Sequence, residues 1–306
     1  MIQHYFLNPY HRRLFVHLDS DEVDFDAFTG DFAALARNGV RPDWVSALLR
    51  RAIIAKKQDV VVFLLDEIAS DSLEGQDATE TLCVAASAGN VLAVRKLVEL
   101  GADPNASHYS HHLSFPLADA AECCQLAAVQ ELLRLGADAT KENSWALFAA
   151  CDSPETEFMP VERIAPVVRA LLEAGASPDA PWYKNAAWSP LRNAISNDDE
   201  ETALLLLQYG CSLRTPDGTN LVHLLCDMPR AFQLAVQRGA CGNELTDDNV
   251  LLETEKRIDL TLDCSLGENL GGLLEGCSGQ EGVGNERSLG DTEQYRSMGC
   301  GTEIAF

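Results

Sequence analysis

Apolar positions along this chain recur at helical spacing in short blocks, and the blocks themselves recur. The clearest block is Thr81 to Asn105, TLCVAASAGNVLAVRKLVELGADPN. Its pattern predicts two short helices and a turn. Ala85, Ala86 and Gly89 lie on the first, and Val91, Val94, Leu97 and Val98 give the second an apolar face. Gly101 follows, where a helix commonly ends on a residue at positive φ that only glycine adopts without a Cβ penalty. The same ending returns at Gly136, Gly175, Gly210 and Gly239, in steps of 35, 39, 35 and 29 residues. A repeat period near 33 in a helix–helix–turn unit is the signature of stacked units, none of which buries its apolar face alone.

The blocks can be followed along the chain. Residues 1 to about 30 have no repeat; Tyr5, Phe6, Tyr10 and Phe15 alternate with histidines and arginines, and an acidic run spans Asp19 to Asp26. This stretch reads as an irregular cap, since a terminal unit must cover an otherwise exposed apolar face. Phe32 to Val40 has the form of half a degenerate unit ending at Gly39. Ala47 to Ser70 is the first fuller unit, with Ile68 where the glycine is expected. The third begins at Pro116, a residue suited to the first helical position, and carries Cys124 in place of the mid-unit glycine. The fourth, from near Trp145, is lengthened by an exposed insertion around Asp152 to Glu162. The fifth starts at Pro190. The sixth opens with the turn Asp217-Gly218-Thr219 and is read with a shortened second helix. Residues 241–306 hold 11 of the 21 glycines and 14 Asp and Glu against 4 Lys and Arg. That composition predicts an acidic tail, mostly disordered after about residue 265, because little apolar burial offsets the ordering entropy.

The unit at Thr81 resembles the ankyrin repeat, and the resemblance covers roughly residues 45 to 240. It implies an all-α repeat solenoid of about six helix–turn–helix units with hairpin loops, flanked by the cap (1–44) and the tail (241–306). It also implies a concave groove that binds a partner protein, with no catalytic residue and no cofactor. The family's histidine in the first helix is replaced here by Arg50, Cys83, Ala118, Phe148, Arg192 and Val222, so the array is degenerate and modest stability is expected. Two hairpins are about two residues longer than the family's, at 107–113 and 181–188. His108 and Tyr109 lie on one and Trp182, Tyr183 and Trp188 on the other. Trp and Tyr at such tips are either partner anchors or packing against the hairpin stem; Trp188, beside a helix start, leans towards packing. The motif's spacing puts Ser87, Ala88, Glu122, Cys123, Ser196 and Asn197 on the groove face.

Composition narrows the partner. The formal net charge is −24, which disfavours binding to phosphate backbones and is compatible with a basic partner surface. No apolar run is long enough to span a bilayer, and the N-terminus lacks the order of a signal peptide. Ten cysteines without paired spacing read as a reduced, intracellular protein, cytoplasmic or nuclear, and the chain reads as a monomer. His108, His111 and His112, followed by Cys123 and Cys124, fall short of the four ligands in tetrahedral reach that zinc needs, and no metal is expected. Asp198 to Glu201 read as a solvated helix start. A non-enzymatic interaction module is the first reading. The alternative is a substrate-recruiting or inhibitory subunit of an enzyme complex, such as a ubiquitin ligase adaptor, for which only residues 1–44 or 249–262 could hold a second docking element.

Gly101→Val is expected to lower stability by roughly 1–2 kcal/mol, the penalty of a side chain in the left-handed region, read as a fall in urea midpoint. Removal of residues 265–306 is expected to leave the far-UV helix signal of the remaining chain unchanged; its collapse would show that the segment packs.

Overall fold

In a computed structural model the chain is described at residues 9–20, 22–37, 42–67, 75–109, 113–152, 164–181, 188–215 and 217–238. Trp182, Tyr183, His111, His112, Gly39, Ile68, Gly239, the insertion from 153 on and the 241–306 segment lie outside these residues. The described chain is helical, and its extended pairing is limited to one two-residue ladder and one bridge. No helix among the described residues is long and apolar enough to cross a membrane.

The N-terminal segment departs from the irregular cap expected of it. Its described part forms α1 (Pro9–Asp19) and α2 (Phe25–Ala36). Leu14 and Leu18 on α1, and Phe28, Phe32 and Leu35 on α2, recur at helical spacing and are buried; the charges between them hide that period in a plain reading. Asp24 caps α2 by accepting from the Ala27 amide at 3.0 Å. The edge of Phe63 meets the rings of Phe25, Phe28 and Phe32 at 5.9, 6.2 and 5.2 Å. Asp19 pairs with Arg51.

Five helix pairs follow: α3 (Pro42–Ile54) and α4 (Gln58–Glu67), α5 (Gly75–Ser87) and α6 (Val91–Glu99), α7 (Pro116–Glu122) and α8 (Leu126–Arg134), α9 (Lys141–Cys151) and α10 (Ile164–Glu173), and α11 (Pro190–Ser196) and α12 (Glu200–Gln208). A 3₁₀ helix (Val222–Asp227) and α13 (Pro229–Gln237) end the described chain. Each helix packs on its hairpin partner and on the helix two places along. One run of contacts joins α3, α5, α7, α9 and α11; the other joins α4, α6, α8, α10, α12 and α13. Where the first run is tightest the side chains are small: Ala52, Ala85, Ala86, Ala120, Ala121 and Ala150 are fully buried. Leu64, Leu97, Leu132, Leu171 and Leu206, also buried, fill the second run.

The turns repeat as the helices do. Gly101, Gly136, Gly175 and Gly210 have φ of 100°, 91°, 94° and 90°. After each, the next amide reaches back to a leucine carbonyl (Ala102 to Leu97, Ala137 to Leu132, Ala176 to Leu171, Cys211 to Leu206) at 2.9–3.1 Å, closing the last turn. The described turns inside the pairs use the same backbone with poorer residues: Lys56, Cys124 and Asp198 have φ of 56°, 50° and 54°, where the second pair has Gly89. Neighbouring units are tied at the period itself. The Asp138 amide donates to Asn105 Oδ1 at 2.8 Å, Ser177 to Ser144 Oγ at 2.8 Å and Ser212 to Asp179 Oδ1 at 2.7 Å, each across 33 residues.

Two further expectations need correction. The second helix of the last unit is not shortened: α13 has nine residues, as α6, α8 and α12 do. The first element is the altered one, a 3₁₀ helix in place of an α-helix. Met228, at ψ 81°, has the same backbone as Asn90, Gln125 and Asp199 before α6, α8 and α12, at 84°, 74° and 83°, so Pro229 fits that turn without altering it. Nor is Asp198 to Glu201 simply a solvated start. Asp199 is 4% exposed and caps α12, accepting from the Thr202 amide at 3.0 Å.

Lys56 is exposed at a left-handed position, so Lys56→Gly is expected to raise stability by about 0.5–1 kcal/mol, the strain relieved less glycine's entropy. Ala121→Leu is expected to lower it by roughly 1–3 kcal/mol through overpacking. Urea midpoints of the two variants moving in opposite directions would check both.

Candidate functional site

The positions expected on one face sit at the C-terminal ends of the first run of helices. Ser87 ends α5, Ala88 follows it, Glu122 ends α7, Ser196 ends α11 and Asn197 caps it. Ala88, Glu122 and Ser196 are exposed, whereas Ser87, Cys123 and Asn197 are half-buried. Ser87 turns inward and donates to the Val84 carbonyl at 3.1 Å. Asn197 Nδ2 donates to the Cys151 carbonyl at 3.1 Å, so it ties α11 to α9 rather than reaching outward. The backbone brings these residues together along one edge.

The long hairpins are described in part. His108 and Tyr109 form β1, pairing with β2 (Leu113–Ser114) in the register His108 to Ser114 and Tyr109 to Leu113. Trp188 is half-buried, with the Arg192 guanidinium 5.2 Å from its ring centre, a cation–π contact that holds the indole beside the start of α11. Trp182 and Tyr183 are not described.

Several polar groups of this edge escaped the sequence reading. Ser114 Oγ donates to Asp119 at 2.8 Å and lies 3.8 Å from Cys83 Sγ. Burial, with Ser114 and Cys83 opposing it and the charge of Glu122 adding to it, raises the Asp119 carboxyl to about 6. The Cys83 thiol is pushed far up, first by burial and then by the Asp119 charge. The thiols of Cys151 and Cys211 are also raised by burial, the latter to about 12, so all three stay protonated at neutral pH. Arg50, in the register of Cys83, donates to Thr81 Oγ1 at 3.2 Å and pairs with Asp77 and Glu80 at 3.6 and 3.5 Å.

Asp152 and Asn193 matter more. Asp152, assigned by sequence to an insertion, is the cap residue of α9. Counting from Leu117, Leu147 and Leu191 places Asp152 in the register of Glu122 and Ser196, and Asn193 in that of Asp119. The signal was present, but the length of the fourth unit obscured it. Asp152 keeps an exposed edge, yet packing around its carboxyl raises it to about 6, with the Glu122 charge contributing second. Asn193 is 2% exposed. Its Nδ2 donates to Asp152 Oδ1 at 3.3 Å, and its Oδ1 has no hydrogen-bond partner. A buried acceptor left unpaired costs about 1–3 kcal/mol.

Elsewhere, a groove of about 740 Å³ between α1 and α2 is lined by Arg12, Arg13, Val16, His17, Gly30 and Asp31, apart from every position above. On the second run, Arg134 and Arg95 clamp Glu131 and hold its carboxyl down to about 2. Among the described residues no group of His, Cys, Asp and Glu is placed to hold a metal ion. No family model matches the chain, and no curated protein matches it well enough to count as a relative.

The raised Asp119 carboxyl sets a sign. Its folded pKa of about 6 lies above the ordinary 3.8, so the folded state binds the proton more tightly. Stability from this group is full below pH 4 and is lost as pH rises towards 6. Asp119→Asn is expected to remove roughly 1–2 kcal/mol of that decline, visible as a flatter plot of urea midpoint between pH 4 and 7.

Proposed function

We propose that the chain is a non-enzymatic protein-binding module, an ankyrin-like solenoid that holds a partner protein along the edge formed by the ends of α5, α7, α9 and α11 and by the neighbouring hairpins. The observation that carries this reading is the set of backbone-to-side-chain ties at 33-residue separation, Asn105 to Asp138, Ser144 to Ser177 and Asp179 to Ser212. They mean that one unit's turn is completed by the unit before it, as in a stack of equivalent repeats. The helix contacts, each to the next but one in the chain, support the same arrangement. A stack of this kind offers a long surface built from side chains at one register. Here that register carries Ser87, Glu122, Asp152 and Ser196, with Ala88 and Asn197 one residue further on in their own units. Small and acidic side chains line such a surface, so it accepts a partner's protruding and basic groups. The partner anchors expected at His108, Tyr109, Trp182, Tyr183 and Trp188 belong to the flanking hairpins.

The test is capture from a lysate of source cells by the full chain, beside the variant Ala88→Arg with Ser196→Arg. Both sites are exposed, so the variant is expected to melt at the same temperature. A protein retained by the first and absent from the second supports the reading. An identical set retained by both excludes this edge.

A further inference from the structure

We propose that the groove between α1 and α2 docks an acidic segment of a partner protein. An aliphatic side chain of the segment seats over Gly30 and Val16, and carboxylates beside it pair with Arg12 and Arg13. The proposal goes beyond the edge described above and does not rest on it.

The shape of the groove depends on a glycine. Gly30 lies inside α2 and is exposed. Glycine in a helix interior is less stable than alanine, and it is retained where a positive φ or a close neighbour requires it. Neither holds here. Gly30 does not have a positive φ, and a Cβ at this place would meet no neighbouring group within 4 Å. What the missing side chain does is leave the α2 wall open, in a cavity of about 740 Å³ that Ala27 and Gly30 share with Arg12, Arg13 and Val16 of α1. Val16 is 60% exposed, more than any other large apolar side chain among the described residues. An aliphatic group placed over Val16 and Gly30 takes apolar surface of both partners out of water.

Charge decides which apolar segment fits. Residues 1–18 hold two arginines and three histidines and no Asp or Glu, in a chain whose formal net charge is −24. Both arginines line the groove and are exposed. The groove's own acid, Asp31, lies 3.3 Å from His17 and 3.9 Å from Arg13, whereas Arg12 makes no ion pair among the described residues. Charges in solvent are screened over about 8 Å at physiological ionic strength, so the local sign governs docking more than the charge of the whole chain. Guanidinium groups take carboxylates through two parallel hydrogen bonds. A phosphate backbone would find the same arginines but offers no aliphatic side chain to Val16 and Gly30.

The test uses the full chain and fluorescence anisotropy at physiological salt. The probe is a fluorescein-labelled twelve-residue peptide, (Gly-Leu-Glu)₄. Beside it stand (Gly-Leu-Gln)₄, which lacks the charge, and (Gly-Ser-Glu)₄, which lacks the apolar side chains. The probe is expected to bind, and the other two to bind at least tenfold more weakly. Gly30→Leu fills the groove. Its Cβ has room and leucine is the better helix former, so the variant is expected to melt no lower than the unaltered chain and to bind the probe at least tenfold more weakly. Arg12→Gln is expected to weaken the probe at least threefold. Arg169→Gln, which removes an exposed charge from α10, is expected to bind it within twofold of the unaltered chain. No binding of the probe, equal binding of either control peptide, or an equal loss with Arg169→Gln overturns the docking site, as does binding that survives Gly30→Leu. A labelled twelve-nucleotide oligouridylate that binds as tightly as the probe and is lost with Gly30→Leu gives the groove to nucleic acid and overturns the peptide. A photo-crosslink from p-benzoylphenylalanine replacing Val16 to residues 241–306 of the same chain, or to a second copy, gives the groove to that occupant and overturns the partner.

Discussion

The constraint that the rest of this structure depends on is the close approach of α5, α7 and α9, which only small side chains allow. Ala85, Ala86, Ala120, Ala121 and Ala150 have no surface left to solvent. A buried alanine contributes little transfer energy of its own, but its absence of bulk lets neighbouring backbones come near enough for the larger residues around them to meet. The second run of helices is built the opposite way, with a leucine at the equivalent place of α4, α6, α8, α10 and α12. Small side chains in one run and large ones in the other give the two runs different packing. Packing of this kind ties each unit to its neighbours, so stability is shared along the array rather than held by any single pair.

Much of this was legible from residue types alone. The glycines that end the second helices, Gly101, Gly136, Gly175 and Gly210, fell where a left-handed residue is needed. The parts that were not legible have physical reasons. In the N-terminal segment the apolar face is carried by Leu14, Leu18, Phe28 and Phe32, with an acidic run between the two helices and further apolar residues, Val16 and Phe25, off that face. The period is therefore diluted, although its burial is complete. At the last unit the sequence motif promised an ordinary pair, but its first element is a 3₁₀ helix, although Met228 has the same backbone as the residues before α6, α8 and α12. Asp199 looked like one more acid in an acidic run; its capping role depends on the turn at Asp198, which no composition argument anticipates.

The candidate site was legible to a lesser degree, and unevenly. Ser87, Ala88, Glu122, Ser196 and Asn197 lie at or just after the C-terminal ends of α5, α7 and α11. Register does not say which way a side chain turns: Ser87 and Asn197 spend their polar atoms on the backbone of Val84 and Cys151. Asp152 was missed because the longer fourth unit hid its equivalence to Glu122. Asn193 was missed because a lone polar residue on an apolar face looks like an imperfection in a degenerate repeat. Only three-dimensional accounting of hydrogen bonds shows that its amide ties to Asp152 while its Oδ1 is buried without a hydrogen-bond partner.

Such local pairing bears on how degeneracy in this array should be understood. At the register of Cys83 the chain has five residue types over six positions, Arg50, Cys83, Ala118, Phe148, Arg192 and Val222, and two of them make local arrangements of their own. Cys83 joins Ser114 and Asp119, whereas Arg50 joins Thr81, Asp77 and Glu80. The same freedom allows adjacent units to differ in charge at the exposed register, from Ser87 to Glu122 to Asp152 to Ser196. A strictly regular array would present one chemical character along its whole edge. An irregular one gathers its acidity at two consecutive units, Glu122 and Asp152, and leaves neutral serines, Ser87 and Ser196, on either side.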